Sequence, residues 1–247
     1  MNAGKFGINS KYYFKSFKSL NLQIFILVLA ASLSGIAFAQ QIPTEPGFKV
    51  AFIGDTGKDS EMNQVSQLIK NEGADIVLVQ GDFSYSSSAS GWLSVIINRS
   101  FNGILGKDFP ILGSQGNHDT GLWGDIRNPC VAGVDSHSEL FRCRMELHGM
   151  NPVFYNNNDR YSTEYKGLKM VFLSEAMDEI SNPDFINQEL SFDNHIWKIC
   201  SWHQVQNAMQ VGGKGDDVGW ASYEACRKQG AIIATAHEHS YARTKTL

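Results

Sequence analysis

The chain has 247 residues, 43% hydrophobic and 19% charged, which is the balance of an ordinary soluble globular protein. Its formal net charge is −4; the only charged residues among positions 1–39 are four lysines (Lys5, Lys11, Lys15, Lys18), so the remaining 208 residues carry −8. A body this acidic argues against nucleic acid or an anionic membrane as the main partner.

Residues 1–39 combine a basic start, an apolar run from Leu20 to Leu33 and a small-x-small ending at Ala37-Phe38-Ala39. That is the layout of a secretory signal with cleavage before Gln40, and it predicts a secreted protein. Asn21, Gln23, Ser32 and Ser34 interrupt the run, which leaves an uncleaved signal anchor as the alternative. Residues 40–47, with Pro43 and Pro46, read as a linker, and 48–247 as one sizeable α/β domain.

Phe48–Ile53 is expected as a first strand, delivering Gly54-Asp55-Thr56-Gly57. Glu61–Asn71 follows with Met62, Val65, Leu68 and Ile69 at helical spacing, stopped by Gly73. Asp75–Val79 is a continuous apolar run, hence a buried strand, and it leads into Gly81-Asp82-Phe83-Ser84-Tyr85. Gly91–Phe101 reads as a second helix carrying the sequon Asn98-Arg99-Ser100, a glycosylation acceptor if the chain is secreted. Phe109–Ser114 is a third strand, delivering Gly116-Asn117-His118-Asp119. Strand, loop and helix in repetition predict a parallel sheet.

From Thr120 to Asn158 the periodicity lapses, and this stretch reads as a long surface excursion. Tyr161–Tyr165 and Lys169–Leu173 form a predicted hairpin, and Pro183–Phe192 a short helix. His195–Ser201 is the next strand, ending at Trp202-His203. Tyr223–Lys228 is helical, and Ala231–Thr235 is a last strand, ending at Ala236-His237-Glu238-His239. The chain stops eight residues later, which reads as a fragment or an early end. Of the four cysteines, Cys130 and Cys143 are expected to pair within the loop region; Cys200 is either bonded to Cys226 or a free buried thiol.

Five strand ends therefore carry donors: Asp55; Asp82 with Tyr85; Asn117 with His118; His203; and His237 with His239. Singly, each has a bland reading as a turn former, cap or half-buried polar residue. Jointly they form a donor set of carboxylate, phenolate, amide oxygen and imidazole without thiolate, suited to hard or borderline metals. If Asp82 bridges, the set suffices for two cations about 3.5–4 Å apart, a common arrangement for displacement at phosphorus.

The blocks GDTG, GDFSY, GNHD, WH and AHEHSYAR, in this order and each after a strand, resemble the calcineurin-like metallophosphoesterase superfamily. Two details resemble its purple acid phosphatases: Gly57 stands where many relatives carry a histidine ligand, and Tyr85 offers a tyrosinate in its place. The resemblance implies a four-layer αββα sandwich. It implies Asp55, Tyr85, His239 and shared Asp82 around a first metal, Fe(III), and Asn117, His203, His237 and Asp82 around a second, Zn(II), Mn(II) or Fe(II). His118 would act outside the metal shell on a phosphoryl or leaving oxygen. The implied activity is direct hydrolysis of a small phosphomonoester by a metal-bound hydroxide.

The pattern also departs from the family. Ala236 replaces a common glycine, Gln204 follows His203, and no histidine lies between His203 and His237 to bind substrate. Lys214, in a Gly-rich loop without the P-loop pattern, would approach phosphate in their place or lie in a mobile surface loop. Phosphodiester or nucleotide pyrophosphate hydrolysis, and metal holding without catalysis, are the alternatives. His137, His148 and His195, and the five tryptophans, read as structural, although Trp123 is placed to line the pocket. Arg243 reads as near the site or in a surface ion pair.

Overall fold

The computed structural model describes residues 40–57, 61–83, 85, 93–120, 123, 137–155, 159–174 and 181–245. Gln41–Leu247 form one compact unit. Positions 1–39, which carry the signal reading, lie outside the described residues, as do Trp92, Cys130 and the His137 side chain. No helix among the described residues is long and apolar enough to cross a membrane.

Strand β1 (Val50–Ile53), helix α1 (Glu61–Glu72), strand β2 (Ile76–Gln80), the π-wound helix α2 (Leu93–Asn102) and strand β3 (Ile111–Ser114) form the first half of this unit. The three strands make a parallel sheet in the order β1-β2-β3. All of β2 is buried, as its unbroken apolar run requires of a central strand covered on both faces. Met62 and Ile69 of α1 and Ile97 and Phe101 of α2 pack on this sheet.

The second half comprises α3 (His137–Leu147), β4 (Val153–Tyr155), β5 (Arg160–Tyr165), β6 (Leu168–Phe172), α4 (Ser181–Leu190), β7 (Trp197–Ser201), α5 (Trp220–Lys228) and β8 (Ile232–Ala234). Its sheet runs β4-β5-β6-β7-β8, antiparallel from β4 to β6 and parallel from β6 to β8. The predicted hairpin is β5–β6.

Alternation along β6 and β7 builds the layers. Leu168, Met170, Phe172 and Ile199 share one core with Val77, Leu78, Ile111 and Leu112 of the first sheet. Tyr161 ties the sheets together, its hydroxyl donating to Gly113 O at 2.9 Å. The opposite-facing Val171 and Cys200 join Phe185, Ile186 and Leu190 of α4 and Tyr223, Ala225 and Cys226 of α5. Helices, sheet, sheet and helices give the αββα sandwich that the family blocks imply.

The excursion from Thr120 to Asn158 needs correcting. Its described part contains α3, whose Leu140, Phe141 and Met145 enter the main core, and β4, an edge strand on β5. Buried arginines hide the helix: Arg142 pairs with Glu146, and Arg144 binds Lys107 O and Asn102 Oδ1, so charges interrupt the apolar face. The linker is also tied down, with Ile42 bridged to His195 and the Glu45 N–H donating to Lys166 O at 3.0 Å. In the sequon, Asn98 is exposed, while the Ser100 hydroxyl is buried and donates to Asn63 Oδ1.

Cys200 and Cys226 are disulfide-bonded, fastening β7 to α5 across 26 residues. Cys143 is also disulfide-bonded, while its expected partner Cys130 lies outside the described residues. Closing a loop the length of Cys200–Cys226 restricts the unfolded chain by about 3.5 kcal/mol in the chain-entropy account. The double variant Cys200→Ala/Cys226→Ala is therefore expected to lose about 2–4 kcal/mol in urea unfolding. An unchanged midpoint would contradict this account of the bond.

Candidate metal centre

The donor-bearing loops leave the sheets under strand-like control. Asp55 N–H donates to Gly81 O and Thr56 N–H to Asp82 O, both at 3.0 Å, and Ala236 N–H donates to His203 O at 2.9 Å. Five described non-glycine residues have positive φ, and four of them are the candidate donors Asp55, Asp82, His237 and His239. Such backbone costs of order 1–3 kcal/mol per residue and persists only where the surroundings enforce it. Gly116 shows how tight the enforcement is: a Cβ there would lie 2.2 Å from Asp82 Oδ1. The Ala236 methyl fits because it faces Gly54.

All seven expected ligands come together in two adjoining groups. In the first, the Tyr85 O–H donates to Asp55 Oδ1 at 3.0 Å, and His239 Nε2 lies 2.6 Å from the phenolic oxygen and 3.3 Å from Asp55 Oδ1. In the second, His203 Nε2 lies 3.1 Å from Asn117 Oδ1 and 3.0 Å from His237 Nδ1. Asp82 stands between the groups, with Oδ2 at 3.3 Å from His203 Nε2 and Oδ1 accepting the His118 N–H at 2.9 Å. Asp82, His203 and His237 form the buried floor; Tyr85, His118 and His239 form an open rim.

The chemistry of the floor fits a cation. His203 Nδ1 lies 2.7 Å from the Gln80 carbonyl, which can only accept, so Nδ1 carries the hydrogen and Nε2 turns a lone pair inward. His237 Nε2 approaches the Asp217 carboxylate at 3.3 Å, short of a formed hydrogen bond, and that neighbour favours the hydrogen on Nε2 and a lone pair on Nδ1. Two imidazole lone pairs, the Asp82 carboxylate and the Asn117 amide oxygen thus face one point, and Asp82, His203 and His237 are a possible ligand group for a metal ion. Without a cation, the surrounding acceptors favour the charged form of His203. Burial works to lower the His203 pKa, but Asp82, Gln80 and Asp55 outweigh it and leave it raised. Burial and the His203 charge lower that of His237.

The carboxylate and phenol respond to the same surroundings. Burial works to raise the Asp82 pKa, yet the His203 hydrogen bond and charge, with the His118 N–H, hold it below the ordinary value. Burial and the Asp55 charge push the Tyr85 phenol well up, so tyrosinate forms here only if a cation displaces the proton.

His118 is half exposed, its Nε2 4.0 Å from Asp82 Oδ2 and its ring edge-on to Tyr85. Trp123 does not line the site: it is buried against Phe83 and Phe141, under the loop that carries Asp82. His148 binds Asp108 O, and His195 sits between Asp193 and Glu164. Trp197 and Trp220 are half exposed, unlike the buried Trp202, and Arg243 is exposed. The loop around Lys214 is tied to the donor loop, and Lys214 Nζ donates to His237 O.

Sequence reasoning missed two acids. Asp119 is fully buried and accepts the N–H groups of Asp82 (2.7 Å), Phe83 (3.1 Å) and Gly116 (2.8 Å), latching two donor loops together. Burial pushes its pKa up to about 7, assisted by the Asp82 charge and opposed by those N–H groups. Its position directly after Asn117-His118 was the available signal. Asp217 had none, because its role depends on a contact twenty residues along the chain.

Residues 48–241 match the calcineurin-like phosphoesterase family, and the chain belongs to it. None of the curated proteins matches the chain. Among solved structures, it is similar to a purple acid phosphatase isolated from yellow lupin (Lupinus luteus) seeds, with 19% identity and a TM-score of 0.46 over 75% of this chain and 37% of that one. The chain thus spans little more than a third of that protein's length.

Proposed function

From a calcineurin-like phosphoesterase with this donor set, we infer a dinuclear-metal phosphomonoesterase of the secretory pathway. The carrying observation is Tyr85, whose phenolic oxygen lies 3.0 Å from Asp55 and 2.6 Å from His239, while Gly57 offers no side-chain donor. Asp55, Tyr85, His239 and Asp82 would hold a first ion, and three oxygens with one nitrogen favour Fe(III). Asn117, His203, His237 and Asp82 would hold Zn(II), Mn(II) or Fe(II). When bound, such a pair polarises phosphoryl oxygens and makes the attacking water acidic.

The chain's own residues do the rest. Asp82 sets the spacing of the two groups, and Gln80 fixes the His203 tautomer. The open rim admits a small phosphate ester, with His118 placed to give a proton to the departing oxygen. The signal-like residues 1–39 and the Cys200–Cys226 bond support an oxidising compartment.

Metal analysis with a visible spectrum tests the reading. Two ions per chain are expected, with a tyrosinate-to-iron absorption band that Tyr85→Phe abolishes. A colourless protein holding two ions, or a colour that survives the substitution, overturns the iron–tyrosinate site. Gln204 after His203 favours phosphodiester hydrolysis as a second reading, since no histidine there contacts a monoester. Faster turnover of bis-aryl than aryl phosphate would select it.

A further inference from the structure

The loop Gln210–Asp217 grips the segment that carries His237 and His239. The N–H groups of Gly213 and Lys214 donate to the Glu238 carboxylate at 3.2 and 3.0 Å, Lys214 Nζ donates to His237 O, and the Ser240 hydroxyl donates to Val211 O at 2.9 Å. Gly212 is needed for the approach, since a Cβ there would lie 1.6 Å from Glu238 Oε2. The loop is itself braced: Asn207 N–H donates to Asp216 Oδ1, Asn207 Nδ2 to Lys214 O, and Asp217 N–H to Val205 O. It therefore holds 237, 238 and 240 in a segment whose two histidines adopt left-handed backbone.

Asp217 completes this grip on the side chain. Its Oδ2 lies 3.3 Å from His237 Nε2, and is buried with no hydrogen-bond partner among the described residues. The contact is an ion-pair approach rather than a well-formed hydrogen bond, and the His237 Nε2–H is the donor it has available. The other ring nitrogen, Nδ1, faces His203 Nε2 at 3.0 Å. Asp217 is thus on the far side of the imidazole from the donor floor. That placement suits an outer partner and not a fourth ligand.

We propose that Asp217 is a positioning residue for the second cation: it holds His237 in the Nε2–H tautomer with Nδ1 turned into the floor. The proposal rests on the dinuclear reading above. Outer carboxylates on ligating histidines typically contribute 10–100-fold to metal affinity. Among the described donors Asp217 meets His237 of the second group, so its removal is expected to act on one site of two. Asp217 is also partly open to solvent, so its loss leaves the core intact.

The test uses the full chain, stripped of metal and titrated with Zn(II) under calorimetry. The parent is expected to bind two ions. Asp217→Ala is expected to weaken one site 10–100-fold and leave the other unchanged, and Asp217→Asn, which keeps an acceptor oxygen, to recover part of the loss. Two parental affinities in Asp217→Ala overturn the proposal, and so does an equal weakening of both sites with a lowered unfolding midpoint. If that variant does not fold, the tautomer decides: 15N NMR of the Zn(II)-loaded parent is expected to place the His237 proton on Nε2, and a proton on Nδ1 overturns the proposal. A parent that binds fewer than two ions overturns the dinuclear reading, and the proposal with it.

Discussion

Asp82→Asn is expected to remove the second metal ion, and with it at least about four orders of magnitude in kcat/KM, a barrier increase of roughly 5.5 kcal/mol. The choice of asparagine matters. Asp82 has φ of +52°, a region where asparagine is among the few tolerated side chains, and the amide keeps the shape against Gly116. It also retains an oxygen for the His118 N–H. What it loses is the charge between the two groups, where on the proposed reading one carboxylate would serve both cations. The metal-free variant should therefore unfold near the metal-free parent, while elemental analysis reports one ion or none. A folded variant with two ions and parental turnover would show that Asp82 does not bridge.

The clustering of the candidate donors was legible because each member follows a strand that announces itself. Asp82 comes two residues after the strand Ile76–Gln80, and His203 and His237 follow strands that are parallel neighbours in one sheet. A donor at the end of a parallel strand needs no knowledge of tertiary pairing to be placed at a shared rim. The grip on those donors was not legible in the same way. Asp217 and Lys214 lie in a Gly-rich polar stretch, and nothing local says that it folds back on His237–Ser240. Asp119 sits inside a motif, yet it acts by accepting from backbone N–H groups, those of Asp82 and Phe83 on the preceding donor loop among them.

The fold divides along the same line. The parallel β1-β2-β3 unit follows from alternating strand and helix patterns, and the β5–β6 hairpin from two β-patterned runs separated by Lys166-Gly167-Leu168, of which Leu168 joins β6. Helix α3 was hidden because Arg142 and Arg144 are buried through specific partners rather than excluded from the core. Periodicity treats any arginine as exposed, and here tertiary contacts decide otherwise. Strand β4 is three residues long and makes sense only as an edge to β5, a pairing invisible in its own sequence.

His118→Ala is expected to cost about 10²–10⁴-fold in kcat on alkyl phosphates, with both metal ions retained. The separation follows from which atom does what. It is the backbone N–H of His118, not the imidazole, that holds Asp82 Oδ1, so truncating the side chain leaves the bridge in place. The imidazole projects from the rim, half exposed and 4.0 Å from Asp82 Oδ2, where it can reach an oxygen leaving the site. If it protonates that oxygen, its loss matters most when the leaving group is a poor one. An aryl phosphate with an acidic phenol needs little protonation and should lose roughly tenfold or less. His118→Gln would restore a hydrogen bond, and so part of KM, without restoring proton transfer to alkyl substrates. An equal loss on alkyl and aryl phosphates would instead assign His118 to binding the phosphoryl group, and a loss of metal would place it among the ligands.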